Sequence, residues 1–111
     1  MLVADNRSLT VLLGDNDKVK WYLGQFGTPL DGPEVTGYGK SGIRQEILSR
    51  SKSVIAETGD PKKGLIVLIK PSKKSTYKNL VDILDEMAIC KVPTYAIVDI
   101  TKEEVDLLEK E

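Results

Sequence analysis

The sequence predicts an α+β fold in which two helices pack on one face of a small mixed β-sheet. Two observations lead to this prediction: a hairpin signal near the N-terminus, and two helix-periodic stretches that alternate with apolar strands. The predicted order is β-β-α-β-α-β, followed by a short C-terminal helix, and each β-α-β crossover should be right-handed. With 111 residues, of which 41% are hydrophobic, the chain suits a single domain over residues 1–111.

The first predicted element is a β-hairpin. Ser8–Leu13 and Lys18–Leu23 are rich in β-forming residues, and the Gly14–Asp17 segment between them has strong turn chemistry. Trp21 shares a face of the second strand with apolar neighbours, so we expect it in the core. The next segment, Gly24–Gly42, contains six of the nine glycines, and we predict that it is a long irregular loop.

The first helix and the strand after it are predicted from apolar spacing. The helical repeat comprises Ile43, Ile47, Leu48, Ser51, Val54 and Ile55. It ends at a stop signal, Gly59–Pro61. Leu65–Ile69 (LIVLI) is a continuous apolar strand, so both of its faces must be covered. Because two helices on one side leave the other face open, we expect a loop or a second chain there, and a homodimer would supply it.

The C-terminal part is predicted as a second helix, a last strand and a short helix. Ser75 or Thr76 is the N-cap of the second helix. The stripe expected to face the core comprises Tyr77, Leu80, Val81, Leu84 and Ala88. Tyr95–Ile100 is the last predicted strand, and Thr101 caps one or two acidic helical turns within Lys102–Glu111.

The GYGKSG segment, Gly37–Gly42, overlaps two phosphate-binding signatures, G-x-G-x-x-G and the end of a Walker A loop. A dinucleotide fingerprint needs a strand leading into its first glycine, and the residues before Gly37 are turn-forming. A Walker A loop needs glycine five positions before Gly39, where this chain has Glu34. The sequence therefore favours a flexible loop that caps the first helix, and we predict no cofactor.

Composition argues against several classes of function. The chain has no histidine, which is the commonest general base and zinc ligand. Its net charge of −1 does not indicate the basic surface that nucleic-acid binding requires. Asp82, Asp85 and Glu86 lie beside Lys78 on one predicted helix, which is typical of a solvated face. Cys90, the single cysteine, is expected to be a small core residue. We predict no catalytic residue and no metal site.

Two segments resemble the periplasmic domain of the ExbD/TolR family of biopolymer transport proteins. They are Gly64–Met87 (GLIVLIKPSKKSTYKNLVDILDEM) and Lys91–Thr101 (KVPTYAIVDIT). The residues that fit the family pattern are Tyr77, Val81, Asp82, Leu84, Asp85 and Thr101. Where the family usually has Ala-Asp after the basic strand end, this chain has Pro71 and Ser72, so the role of that acid does not carry over. The glycine-rich loop is also longer than the usual connection.

The resemblance implies a non-enzymatic subunit of an energy transducer that is driven by the proton motive force and powers outer-membrane transport. The family's single transmembrane helix, which carries an essential aspartate, would lie outside these 111 residues. The expected location is therefore the periplasmic side of a single-pass bacterial inner-membrane protein. The implied partners are a second copy of the domain, an ExbB-like channel subunit reached through the transmembrane helix, and a TonB-like protein.

We expect a partner segment to add as a strand beside Tyr95, Ala96, Ile97, Val98, Asp99 and Ile100. An alternative within the same family is a TolR-like role in cell-envelope integrity, with peptidoglycan or Tol-Pal proteins as partners. An alternative from another class is a small enzyme that uses Cys90 or the glycine loop. That alternative predicts a depressed thiol pKa and fast alkylation.

Overall fold

The computed structural model describes residues 7–25, 28–39, 41–59 and 64–109. It confirms the α+β class, with a five-stranded mixed sheet and three helices. The elements in chain order are β1 (Ser8–Leu13), β2 (Val19–Gln25), β3 (Thr28–Thr36), α1 (Ile43–Thr58), β4 (Ile66–Pro71), α2 (Tyr77–Ile89), β5 (Thr94–Ile97) and α3 (Lys102–Glu109). Among the described residues, no helix is both long enough and apolar enough to cross a membrane.

The strand order in the sheet is β3-β2-β1-β4-β5, so β3 and β5 are its edges. β1 to β3 pair antiparallel, whereas β4 lies parallel to both β1 and β5. The predicted hairpin is confirmed: the Gly14 N–H donates to the Lys18 carbonyl at 2.9 Å. Asn16 and Asp17 take positive φ values of 54° and 58°, which these residue types tolerate better than most.

The prediction of an irregular loop over Gly24–Gly42 was wrong for residues 24 and 25, which end β2, and for residues 28–36, which form β3. Prolines and glycine in TPLDGPEVT weaken the strand signal, but proline is tolerated on an edge strand, where one side of the backbone has no partner. The β2–β3 pairing is also irregular, with register shifts between Trp21 and Leu23 and between Leu23 and Gly24. The part of the predicted loop that is irregular in the described residues is therefore the short connection into α1.

The main core lies between one face of the sheet and helices α1 and α2. Trp21 is only 2% exposed, which confirms its predicted place in the core. α1 contributes Ile43, Ile47 and Val54, whereas Leu48 and Ile55 of the predicted repeat are exposed. Gly59 ends the helix as predicted, with φ of 68° and its N–H bonded to the Ile55 carbonyl at 2.8 Å.

The expectation that the second face of LIVLI needs a loop or another chain was wrong. On that side of the sheet, α3 of the same chain forms a small apolar cluster with Leu12 of β1 and Tyr22 of β2 through Leu108, and its Glu104 pairs with Lys70 of β4. Ile66, which points to this side, is 8% exposed, and Leu68 is only partly exposed. The short acidic tail was predicted as a helix, but its role as a cover for the sheet was not recognised. LIVLI therefore gives no argument for a homodimer.

The core-facing side of α2 also differs from the predicted stripe. The fully buried residues are Asn79, Ile83, Glu86 and Met87. Leu80 and Leu84 of the predicted stripe pack partly buried against the core, whereas Tyr77, Val81 and Ala88 are exposed. Two polar residues occupy the buried arc because each has a partner: the Asn79 side chain donates to Asp17 at 2.7 Å, and Glu86 pairs with Arg44. The N-cap prediction is confirmed at Thr76, which forms a capping box with Asn79.

β5 is shorter than predicted, since it ends at Ile97. Val98 follows the strand but still donates its N–H to the Ile69 carbonyl of β4 at 2.8 Å. Thr101 caps α3 as predicted: its hydroxyl accepts from the Glu104 N–H at 3.1 Å, and the Glu104 carboxylate accepts from the Thr101 N–H at 3.0 Å. The chain thus passes from β5 to the opposite side of the sheet within four residues.

Candidate interaction surface

The β5 edge offers unpaired backbone groups. β5 pairs with β4 on one side, and in the described part of the chain nothing pairs with its other side. Because the Val98 N–H points toward β4, and because successive residues of a strand alternate, the N–H groups of Tyr95 and Ile97 point away from the sheet. All four residues of the strand are exposed. Such an edge is a template for an added strand.

The side chains on this edge are apolar. In the β4–β5 register, Tyr95 lies beside Val67 and Ile97 beside Ile69, so both point to the face that α1 and α2 cover. Tyr95 is nevertheless 47% exposed and Ile97 is 53% exposed. Natural edge strands are usually protected by being short, by charge, by proline or by a covering element; β5 is short, but its four residues include neither a charge nor a proline. Tyr95 and Ile97 therefore form a candidate contact surface.

One flank of α2 extends this surface. Glu86 faces α1, since it pairs with Arg44 there, and helix periodicity then turns Tyr77 and Val81 away from α1, toward the β5 side of the sheet. Tyr77 is 81% exposed, and Val81 and Ala88 are also exposed. We call the combined set the β5 edge surface; it comprises Tyr77, Val81, Ala88, Tyr95 and Ile97.

The predicted partner-binding residues thus fall into two groups. Tyr95, Ala96 and Ile97 lie in β5, whose outer side has no partner strand among the described residues. Val98 and Asp99 are exposed but lie beyond the end of the strand, and Ile100 packs partly against the α3 cluster. Sequence reasoning missed the contribution of α2, because it assigned Tyr77 and Val81 to the core. A second helical stripe, which begins at Asn79 and includes Ile83, Glu86 and Met87, is the sequence signal that could have corrected this assignment.

The glycine segment holds a carboxylate from the protein itself. The Gly39 N–H donates to the Glu86 carboxylate at 3.0 Å, and the Arg44 Nε donates to the same carboxylate at 2.6 Å. The Gly37 carbonyl accepts from the Ile43 N–H at 2.8 Å, so the segment caps α1 as predicted. A Cβ at Gly42 would lie 2.2 Å from the Gly37 oxygen, so this position needs glycine for close packing.

These contacts correct the prediction that Glu86 is part of a solvated face, because its side chain is only 5% exposed. Asp82 behaves as predicted: it pairs with Lys78 at 2.8 Å, one helical turn away. No group of three or more potential metal ligands occurs among the residues that the structure describes. Lys40 of the glycine segment lies outside the described residues.

Cys90 is buried at the C-terminal end of α2 and belongs to the main core, as predicted. Burial raises the pKa of its thiol, and the nearby negative charge of Glu86 adds to the effect, whereas Arg44 opposes it. A nucleophilic cysteine needs a lowered pKa and access to solvent. The environment of Cys90 therefore argues against the alternative in which this thiol performs chemistry.

A second polar cluster fastens α3 to the sheet. The Glu104 carboxylate is fully buried and accepts hydrogen bonds from the Tyr22 hydroxyl at 2.6 Å and from Lys70 Nζ at 2.8 Å. Burial alone would raise the pKa of Glu104, but the hydrogen bonds from Lys70, Tyr22 and Thr101 outweigh it, and the pKa lies below its ordinary value. The pKa of Tyr22 is raised, first by burial and then by the adjacent carboxylate.

Two lysines hold the other end of α3. Lys18 Nζ donates to the Leu108 carbonyl and Lys20 Nζ to the Leu107 carbonyl, each at 2.8 Å. The last carbonyls of a helix have no partner within the helix, and cations stabilise this end. The Thr-x-x-Glu pattern at Thr101 was visible in the sequence, but the contacts with β2 and β4 could not be read from it.

In comparisons with known proteins, no family model, no curated protein and no solved structure matches this chain.

Proposed function

We propose that this chain is the periplasmic interaction domain of an energy transducer of the ExbD/TolR type, driven by the proton motive force, and that it transmits force through protein–protein contact. The observation that carries the proposal is the β5 edge surface, an unpaired strand with apolar side chains beside an apolar helix flank. This surface lies within the two segments, Gly64–Met87 and Lys91–Thr101, that resemble the family, apart from Ala88.

The proposed mode of binding is strand addition. A partner segment pairs with the outward backbone groups of Tyr95 and Ile97, and its alternate side chains meet Tyr77 and Val81 on the α2 flank. Main-chain hydrogen bonds supply affinity with little dependence on sequence, and side-chain contacts supply specificity. Strand addition therefore suits a domain that must hold a partner under load without chemically altering it.

The same surface serves a homodimer in this proposal. Two copies that pair through β5 about a two-fold axis would bury Tyr95 and Ile97 of both chains and join two five-stranded sheets. A TonB-like segment that uses the same edge would compete with the second copy. In the complete complex, the transmembrane helix implied by the resemblance would connect the domain to an ExbB-like channel.

The test replaces Ile97 with lysine, which places a charge on the open edge. Val35→Lys is the matched control, because Val35 is a 55% exposed apolar residue on β3, the opposite edge of the sheet. Binding of a purified TonB-like periplasmic segment is followed by fluorescence anisotropy. We expect Ile97→Lys to weaken binding about 10-fold or more, as for loss of an interface anchor, and Val35→Lys to leave it unchanged.

Unchanged binding by a folded Ile97→Lys variant would refute the proposed site. Light scattering across a concentration series measures the dimer in the same samples. We expect a concentration-dependent dimer for the wild type and for Val35→Lys, and a monomer for Ile97→Lys. Proline at Val98 is unsuitable for this test, since the Val98 N–H bonds inward to β4 and its loss would damage the sheet itself.

A further inference from the structure

A groove lies at the carboxyl ends of the three parallel strands, away from the open edge of β5. Its walls are the β1–β2 turn, the turn after β4 at residues 72–74, and the segment from Ile100 through α3. The groove encloses about 760 Å³, which falls in the range of small-molecule sites. The mechanism proposed above makes no use of it.

The topology favours a ligand at this position. After β4 the chain turns to the face covered by α2, and after the neighbouring parallel strand β5 it turns to the opposite face, covered by α3. When adjacent parallel strands send their connections to opposite faces, a crevice opens outside their carboxyl ends, and ligands of open α/β sheets bind there. The groove therefore follows from the order of the elements as well as from the side chains that line it.

The lining of the groove is amphipathic. Ile100, Val105 and Leu108 form an apolar wall, and four lysines stand against two carboxylates, those of Asp15 and Glu109. Lys18 is engaged with the Leu108 carbonyl, and Lys74 pairs with Glu109 at 2.7 Å. Lys73 and Lys102 are exposed and make no ion pair with any residue in the described ranges. Positive charge is thus available beside an apolar wall.

A third feature is an unpaired hydroxyl. Ser72 lines the groove, and its Oγ is buried without a hydrogen-bond partner among the described residues. Its backbone is fully engaged, because the N–H donates to the Leu13 carbonyl and the carbonyl accepts from Ser75. Because this Oγ has no exposed surface, Ser72 borders the groove without presenting its hydroxyl to it.

We propose that this groove binds a small amphiphilic carboxylate. The carboxylate head lies between Lys73 and Lys102, and a short hydrocarbon portion covers the partly exposed Ile100 and Val105. Both parts are required, since an exposed ammonium alone holds an anion weakly and an apolar wall alone would not discriminate. The proposal is independent of the partner site on β5, and either can fail without the other.

The experiment titrates the ¹⁵N-labelled protein with hexanoate at low ionic strength and follows amide chemical shifts. Acetate supplies the head without the tail, and 1-hexanol supplies the tail without the charge. We expect hexanoate to shift the amides of Ser72, Lys73 and Val105 in a saturable manner, with acetate and 1-hexanol at least about 10-fold weaker, the ratio that 1.4 kcal/mol represents.

The variant test removes both free charges. Lys73→Gln with Lys102→Gln should weaken hexanoate binding about 10-fold, whereas Lys52→Gln with Lys91→Gln, an equal loss of charge at two exposed lysines outside the groove, should leave it within about twofold. Equal binding of hexanoate and 1-hexanol, shifts confined to other regions, or an unaffected Lys73→Gln/Lys102→Gln variant with a native spectrum would each overturn the proposal.

Discussion

Replacing Glu104 with alanine should strongly destabilise the fold, even though Glu104 lies on a short terminal helix. The carboxylate joins three elements, because it accepts hydrogen bonds from Tyr22 on β2, Lys70 on β4 and Thr101 before α3. Loss of one partner from a buried ion pair costs about 3–5 kcal/mol. The Lys70 side chain is 13% exposed, so its ammonium can be partly hydrated once Glu104 is removed. We therefore expect the free energy of unfolding to fall by about 3 kcal/mol, the lower end of this range.

The assay is urea unfolding followed by fluorescence of Trp21, the single tryptophan, which is buried in the main core on the other face of the sheet. A loss of about 3 kcal/mol corresponds to a fall of about 12 °C in Tm for a domain of this size. Glu103→Ala is the control: it removes an exposed acid from the same helical turn and should cost no more than about 0.5 kcal/mol.

The double variant Lys70→Met/Glu104→Leu separates the charge from the packing. Replacing both members of a buried pair with apolar residues of similar size is often neutral, so it should recover most of the lost free energy. If Glu104→Ala and Glu103→Ala have the same small effect, then the polar cluster does not hold α3 on the sheet, and the account given for the second face of the sheet is wrong.

Three further outcomes follow from the same contacts. The folded pKa of Glu104 lies below its unfolded value of about 4.3. Its contribution to the free energy of unfolding is therefore complete above about pH 4.3 and is lost as the pH falls through the folded pKa. In urea titrations at about pH 5 and below, Glu104→Gln should lack this loss of stability at acid pH. Cys90 should react with iodoacetamide at least ~10-fold more slowly in the native protein than in urea, and equal rates would contradict its burial. Glu86→Ala should accelerate hydrogen exchange at the Gly39 amide, whereas exchange unchanged at Gly39 would show that the carboxylate does not hold the glycine segment.

The parts of the fold that were predictable are those with strong local signals. The β1–β2 hairpin is specified by turn residues, α1 ends at a glycine in the left-handed conformation, and Thr76 and Thr101 mark the starts of α2 and α3. Each of these signals lies within a few residues in sequence, so it needs no knowledge of the tertiary structure.

The faces of the helices were less predictable, because polar residues can be buried when they have partners. Asn79 and Glu86 lie in the buried arc of α2, where they meet Asp17 and Arg44 from distant parts of the chain. A pattern based on apolar spacing ranks Tyr77 and Val81 above them and so selects the wrong flank. The same error concealed three of the five residues of the β5 edge surface, because Tyr77, Val81 and Ala88 were assigned to the core but remain exposed.

The strand β3 was missed for a different reason. Its sequence contains Pro29 and Pro33, and a proline cannot donate to a sheet ladder, so strand patterns penalise it. The penalty does not apply where that side of the strand has no neighbour. Edge position is a property of the assembled sheet and is absent from any local window of sequence.

The two edges of the sheet are chemically unequal, and this limits how copies of the domain can assemble. β3 carries two prolines and the acidic residues Asp31 and Glu34, so it is a poor acceptor for a further strand, whereas β5 is open. Growth into a fibre requires two adhesive edges on every molecule. This domain has only one such edge, so two copies that pair through β5 leave no adhesive edge open on either molecule. Assembly by this route therefore stops at a dimer instead of continuing into an aggregate.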